Sequence, residues 1–190
     1  MHADAFLRET AGIADGIDRE GVERMADELV ALRERGGRLF LLGLGGSAAN
    51  CSHAAADFRK LCEIQAQAPT DNMAEFSARA NDDGFSSVFS GWLHASQACI
   101  DDALLVLSVG GGTDEVSLPL KRALHYAAVN GMRILGIVGP NGGETAARAH
   151  CVVKVPAEPK HVTPHTEAFQ AVLWHCLVSH PLLQRKATKW

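Results

Sequence analysis

The chain has 190 residues, 47% hydrophobic and 21% charged, with a formal net charge of -4. That length suits one domain with a substantial core, the composition excludes intrinsic disorder, and the mild acidity disfavours a general nucleic-acid or anionic-membrane binder. No apolar run approaches the roughly 20 residues that span a bilayer, residues 1–8 carry acids instead of a signal-like apolar core, and five cysteines without a CxxC pair suit a reducing cytoplasm.

Residues 1–36 read as a helical segment. Phe6, Ile13 and Ile17, then Val22, Met25, Leu29 and Leu32, recur at spacings of three, four and seven. A break is predicted near 18–21, and Gly36-Gly37 closes the segment as a helix C-cap. Short continuous apolar runs follow at 38–42, 103–107, 133–138 and 151–155, with a weaker one at 66–69. Such runs suit strands buried on both faces. Amphipathic stretches at 48–62, 115–130, 143–149 and 164–178 predict helices between and after them, with Thr163 as N-cap and Pro164 as first residue of the last. Alternation of strand and helix predicts an α/β fold, a three-layer sandwich around a parallel sheet with right-handed crossovers. The absence of repeats and long linkers predicts a single domain over 1–190.

Two glycine-rich turns stand where such sheets place ligands, at the carboxyl ends of strands. The first is Gly43-Leu44-Gly45-Gly46-Ser47 and the second Ser108-Val109-Gly110-Gly111-Gly112-Thr113. Each joins a strand to a helix, permits close approach by a ligand, and carries hydroxyls beside backbone N–H groups that can receive an anion. Neither fits a Walker loop or the dinucleotide fingerprint. Either alone can be a plain tight turn; the pair favours a small phosphorylated metabolite.

His53 and Asp57 lie four apart on the helix after Ser47, so they share a face. The last helix carries His175, with Glu167 and Gln170 upstream and His165 near its start. This set can hold Zn²⁺ or another divalent ion, or it can move protons as acid and base. The plainer alternatives are an i,i+4 surface pair for His53 and Asp57, and a satisfied core histidine for His175.

The order GLGGS, a His six residues after that Ser and a carboxylate ten after it resembles the SIS-domain sugar isomerases, and within them the phosphoheptose isomerase branch. The segment Ala80-Asn81-Asp82-Asp83-Gly84-Phe85, the strand LLVLS before its glycine turn, GMRILGIVGPNGG and CVVKVP extend the resemblance over nearly the whole chain. The resemblance implies a five-stranded parallel sheet, a homotetramer with inter-subunit active sites, and aldose–ketose interconversion of a seven-carbon sugar phosphate, often with bound zinc. Gly45, Gly46, Ser47, Ser108, Gly110, Gly111, Gly112 and Thr113 are then expected at the substrate phosphate, and Asn81 and Asp82 near the sugar. His53, Asp57, Glu167 and His175 are the expected metal set, with Asp57, Glu167 and His175 also the catalytic candidates. Asp57 stands where the family has Glu, Glu167 where it has Gln, and Leu44, Val109, Gly110 and Gly112 replace polar residues. The alternatives are an isomerase of another sugar phosphate, or a non-catalytic sensor or adaptor of the same fold. One difficulty is geometric. Residues 167 and 175 are eight apart, about 12 Å along a straight helix, which ligand distances near 2 Å do not bridge. Either Glu167 lies outside the regular helix, or it reaches a site in a different subunit, or the match is shifted by one residue in this segment; Gln170, and less so His165, are the substitutes.

Overall fold

The computed structural model describes residues 1–189. The helical N-terminal segment is two helices, α1 (His2–Gly16) and α2 (Arg19–Glu34). Asp18 makes the break by capping α2, its Oδ1 accepting the Gly21 N–H at 2.9 Å. Gly36, at φ 72°, turns the chain out of α2, with Gly37 N–H donating to Leu32 O and Gly36 N–H to Arg33 O. These two bonds are the Schellman pattern that the glycine pair predicts.

The strands are β1 (Arg38–Leu42), β2 (Gln65–Gln67), β3 (Ala103–Ser108), β4 (Arg133–Val138) and β5 (Cys151–Lys154). All pairs are parallel and the order is β2-β1-β3-β4-β5. Strand residues alternate between two cores. Leu39, Leu41, Leu105, Leu107, Leu135 and Ile137 face α2, α3 (Gly46–Cys62) and α8 (Val162–Val178). Phe40, Leu42, Leu104, Val106 and Ile134 face α5 (Val88–Ala95) and α6 (Leu118–Val129). Helices therefore cover both faces, as the continuous apolar runs require. A short α7 (Gly143–Arg148) links β4 to β5.

Several boundaries differ from expectation. The last helix begins at Val162, directly after a 3-10 turn at Pro159–His161, so Thr163 does not cap it and Pro164 is its third residue. Proline is tolerated there because first-turn N–H groups have no intrahelical acceptor. α6 starts at Leu118 instead of 115, since Ser117 takes a left-handed φ of 64°. β2 ends at Gln67 instead of 69, because Pro69 opens a 3-10 turn, and residues 70–95, for which the periodicity predicts nothing, fold into α4 (Met73–Arg79), a π-helical turn at Ala80–Gly84 and α5. Here Val88, Phe89, Trp92 and Leu93 bury one helical face. No described helix is long and apolar enough to cross a membrane.

The strand order reverses between β1 and β3, because β2 lies outside β1 while β3 to β5 extend the other way. The two glycine turns leave the sheet at the ends of these adjacent strands. A crevice at such a reversal is where open parallel sheets bind ligands.

Candidate active site

A cavity of about 680 Å³ opens at that point. Ser47, Ser108, Gly110, Thr113 and Glu167 line it, so both turns and the last helix meet there. Ser47 and Ser108 are buried. Ser108 Oγ accepts the Gly111 N–H at 3.0 Å, which orders the second turn and leaves the hydroxyl proton to donate elsewhere. Thr113 is committed differently. Its Oγ1 donates to Val116 O at 3.1 Å and accepts the Val116 N–H at 2.9 Å, pinning the loop before α6. Gly45 is the N-cap of α3, and the adjacent helix start presents free N–H groups.

Gly111 and Gly46 matter for opposite reasons. Gly111 has φ 74°, and a Cβ there would run into the Gly142 carbonyl; neither backbone can yield. A Cβ on Gly46 would lie 2.7 Å from Glu167 Cδ and 2.8 Å from Oε1. Glu167 therefore rests its carboxylate on the first turn of α3, where the helix dipole favours an anion. A side-chain end can move aside. We expect Gly46→Ala to fold with a loss of about 1 kcal/mol or less, yet to lower kcat/KM roughly 10²-fold by displacing Glu167. Gly111→Ala should lose about 2 kcal/mol or more. Urea denaturation and steady-state kinetics on both variants separate the two effects.

Farther along the same helix pair a second group forms. His53, Asp57 and His175 bring ligand atoms within 4.8 Å of one another. His53 Nε2 is 3.7 Å from Asp57 Oδ2, and the two imidazoles sit 5.5 Å apart, edge to face. Trp174 is fully buried; the His53 ring packs on its edge at 4.6 Å and the His175 ring stacks on it at 3.5 Å. His175 Nδ1 is 2.8 Å from the Ala171 carbonyl, so it must be the donor, and Nε2 is left as the open nitrogen. Such a second bond to a backbone carbonyl is how metal-ligating histidines are held. Two nitrogens and a carboxylate suit Zn²⁺.

The structure divides the residues that the sequence groups as one metal set. Within one chain Glu167 lies outside this cluster and lines the cavity, about 12 Å of helical rise from His175. Gln170 is not available in its place: it is fully buried, with Oε1 accepting from Asn50 Nδ2 at 3.2 Å. His165 is buried beside Glu9 and His161. Asn81 and Asp82 are exposed on the π-helical turn, bonded to each other at 2.7 Å, and do not line the cavity of this chain. Gly112 shapes the second turn with φ 84° without lining the cavity.

Sequence reasoning missed Ser117, Asn141 and Thr163, which also line the cavity. Asn141 lies in a third glycine-containing turn, after β4. Its position at a strand's carboxyl end was the available signal. Ser117 had none, because the predicted helix start at 115 placed it inside a helix.

No protein-family model matches the chain. It is 35% identical over 161 residues to a phosphoheptose isomerase of Desulfovibrio desulfuricans, covering 82% of this chain and 70% of that protein. It is 30% identical over 176 residues to a phosphoheptose isomerase of Chlorobaculum tepidum, covering 88% and 78%. A solved phosphoheptose isomerase from Neisseria gonorrhoeae matches with a TM-score of 0.83 at 24% identity, covering 93% of this chain and 96% of that one, which establishes the shared fold. With relatives this similar over most of both sequences, the chain belongs to the phosphoheptose isomerase family of SIS-domain sugar-phosphate isomerases.

Proposed function

We propose that this protein interconverts sedoheptulose 7-phosphate and an aldoheptose 7-phosphate through an enediol. The observation that carries this reading is the meeting of His53, Asp57 and His175 on the same two helices, α3 and α8, that wall the cavity.

The phosphate belongs at the Ser108 to Ser117 side of the cavity. There the Ser108 and Ser117 hydroxyls supply donors, and Thr113 holds the loop. The Ser47 side already holds the Glu167 carboxylate, which repels a phosphate. The sugar then extends past Ser47 and Glu167. His53 and Asp57 lie roughly 9 and 15 Å beyond Ser47 along α3, farther than a seven-carbon sugar phosphate held at Ser108 extends, so the cluster meets a sugar held in a partner subunit's cavity.

Asp57 removes a proton from C1 of the ketose while O2 gains one, giving the enediol. Return of the carbon-bound proton to C2 and loss of the O1 proton complete the aldose. His175 offers only Nε2, so that nitrogen either holds a cation or carries the hydroxyl proton between O2 and O1. His53, Asp57 and His175 would hold Zn²⁺, which when bound stabilises negative charge on the sugar oxygens as a Lewis acid. Glu167, separated from this group, orients the sugar and the start of α3.

We further infer a cytoplasmic homotetramer, each chain a single SIS domain over 1–190 with residues 1–36 as its helical N-terminal part. The exposure of His53 and His175, and of Val172 on the same helix, supports a partner subunit that closes the site and brings Asn81 and Asp82 to it. Family membership does not favour the alternatives of another sugar phosphate or a non-catalytic sensor. The test is an isomerase assay on a panel of five-, six- and seven-carbon sugar phosphates, with and without chelator. The seven-carbon substrate should be turned over fastest, and chelation should lower its kcat at least roughly tenfold, with recovery on adding Zn²⁺. No turnover of any member overturns the reading; full activity after verified metal removal assigns His175 to proton transfer instead.

A further inference from the structure

A second constellation lies away from the catalytic cluster. Glu9 of α1, His161 at the end of the 3-10 turn and His165 in the first turn of α8 bring ligand atoms within 4.8 Å of one another. Both imidazoles address one oxygen: Glu9 Oε2 is 2.7 Å from His161 Nδ1 and 3.1 Å from His165 Nε2. The rings stand 5.9 Å apart at 83°, so they approach that oxygen from nearly perpendicular planes. The Phe6 ring stacks on His165 at 4.2 Å and meets His161 edge-on at 5.5 Å, forming an apolar wall.

We propose that Glu9, His161 and His165 form a second divalent-cation site, suited to Zn²⁺, that clamps α1 onto the start of α8.

The chemistry of the donors supports this. A neutral pair of histidines must present both N–H groups to a single carboxylate oxygen. His165, 1% exposed, then keeps Nδ1 as a buried acceptor with no partner. Both ring nitrogens and the Glu9 oxygen already converge on one point, where a cation takes the place of the two ring protons. Two imidazole nitrogens from an i,i+4 pair and one carboxylate oxygen are instead a common zinc set with a fourth position open. His2, whose ring is 5.9 Å from that of His161, stands near enough to complete it by a side-chain movement.

The fold gives such a clamp a task. Of all α1 residues only Ile13 is buried, and Leu7 is 65% exposed, so apolar packing alone ties α1 down weakly. The site is also distinct from the catalytic cluster. His165 and His175 are ten residues apart on α8, about 15 Å of helix, so no single ion serves both. It does not depend on the isomerase reading.

The experiment counts metal. His53→Ala/His175→Ala protein, stripped with chelator and dialysed against Zn²⁺, should retain about one ion per chain by mass spectrometry of the metal. Adding Glu9→Gln and His161→Gln should reduce this to near zero while the far-ultraviolet circular dichroism is unchanged. In otherwise wild-type protein, His161→Gln alone should remove about one ion per chain and make residues 1–16 exchange amide hydrogens faster. The proposal is overturned if the His53→Ala/His175→Ala protein holds no stoichiometric metal. It is equally overturned if His161→Gln leaves the wild-type stoichiometry unchanged.

Discussion

Replacing Asp57 by Asn is expected to lower kcat roughly 10²- to 10⁴-fold, the range of a positioned acid–base group. Asn keeps the size and one carbonyl oxygen but cannot take a proton from carbon, and it is a weaker cation ligand. KM should change little, because the residues proposed for the phosphate lie in the cavity and not in the histidine cluster. Stability should also change little. The His53–Asp57 pair is open to solvent, with side-chain exposures of 61% and 21%, and exposed i,i+4 pairs contribute about 0.5 kcal/mol or less. A kcat loss with an unmoved denaturation midpoint is thus the signature of chemistry. Asp57→Glu should retain activity within about tenfold of wild type, since it keeps the carboxylate and restores the length that the family resemblance implies there. Asp57→Asn protein turning over within about threefold of wild type would remove Asp57 from the reaction.

The second large effect is on stability, at the opposite end of the sheet. Asp102 precedes β3 and is 2% exposed. Its Oδ1 accepts from Arg38 N at 2.9 Å and Nε at 3.0 Å; its Oδ2 accepts from Arg38 Nη2 at 2.7 Å and Cys99 N at 3.0 Å. The guanidinium also donates to the carbonyls of Ser96 and Gln97. One carboxylate thereby joins the start of β1 to the turn that leads into β3. Removing one partner of a buried pair leaves the other uncompensated, so Asp102→Ala should cost about 3–5 kcal/mol. For a chain of this size that lowers the thermal midpoint by about 6–20 °C. Activity per folded molecule should survive, because the site lies at the carboxyl ends of the strands.

The same group makes a prediction about acid. Burial pushes the Asp102 carboxyl up, but the bonds from the Arg38 side chain and from the Arg38 and Cys99 N–H groups outweigh it and hold it below the ordinary range. A carboxyl lower in the folded than in the unfolded state adds stability that is fully present above the unfolded value, about 3.9. That contribution is lost as pH falls through the folded value. Wild-type protein should therefore lose stability steadily below about pH 4, and Asp102→Asn should be flatter across that interval. Urea midpoints at stepped pH values measure the difference; parallel slopes would sink the assignment.

Much of the fold is legible in the residues themselves. The continuous runs RLFLL, ALLVL and RILGIV need apolar cover on both sides, and α2, α3, α8, α5 and α6 supply it. The Asp18 break and the Gly36-Gly37 stop are local signals obeyed locally. The pair His53 and Asp57 is equally local, since helical spacing puts i and i+4 together whatever surrounds them. Residues 70–95 are opaque because five short pieces of 3-10, α and π helix, with different hydrogen-bond spacings, leave no sustained period to read.

Length, composition and charge, which at first only excluded disorder, membrane and nucleic acid, also set the terms of the chemistry. An anionic substrate on a protein of net charge -4 must be held by hydroxyls, helix N-termini and local dipoles. The alternation of strand and helix, the two glycine turns and the inventory of histidines and carboxylates are readable in the residues, because these depend on neighbours within a few positions. Which of them meet is set by how the helices pack. The packing of α8 against α3 carries His175 to His53 while the helical rise leaves Glu167 at the cavity. The seating of α1 on α8 brings Glu9 to His161 and His165 across more than 150 positions of sequence. Contacts of that range are set by how whole faces pack, and no local spacing encodes them.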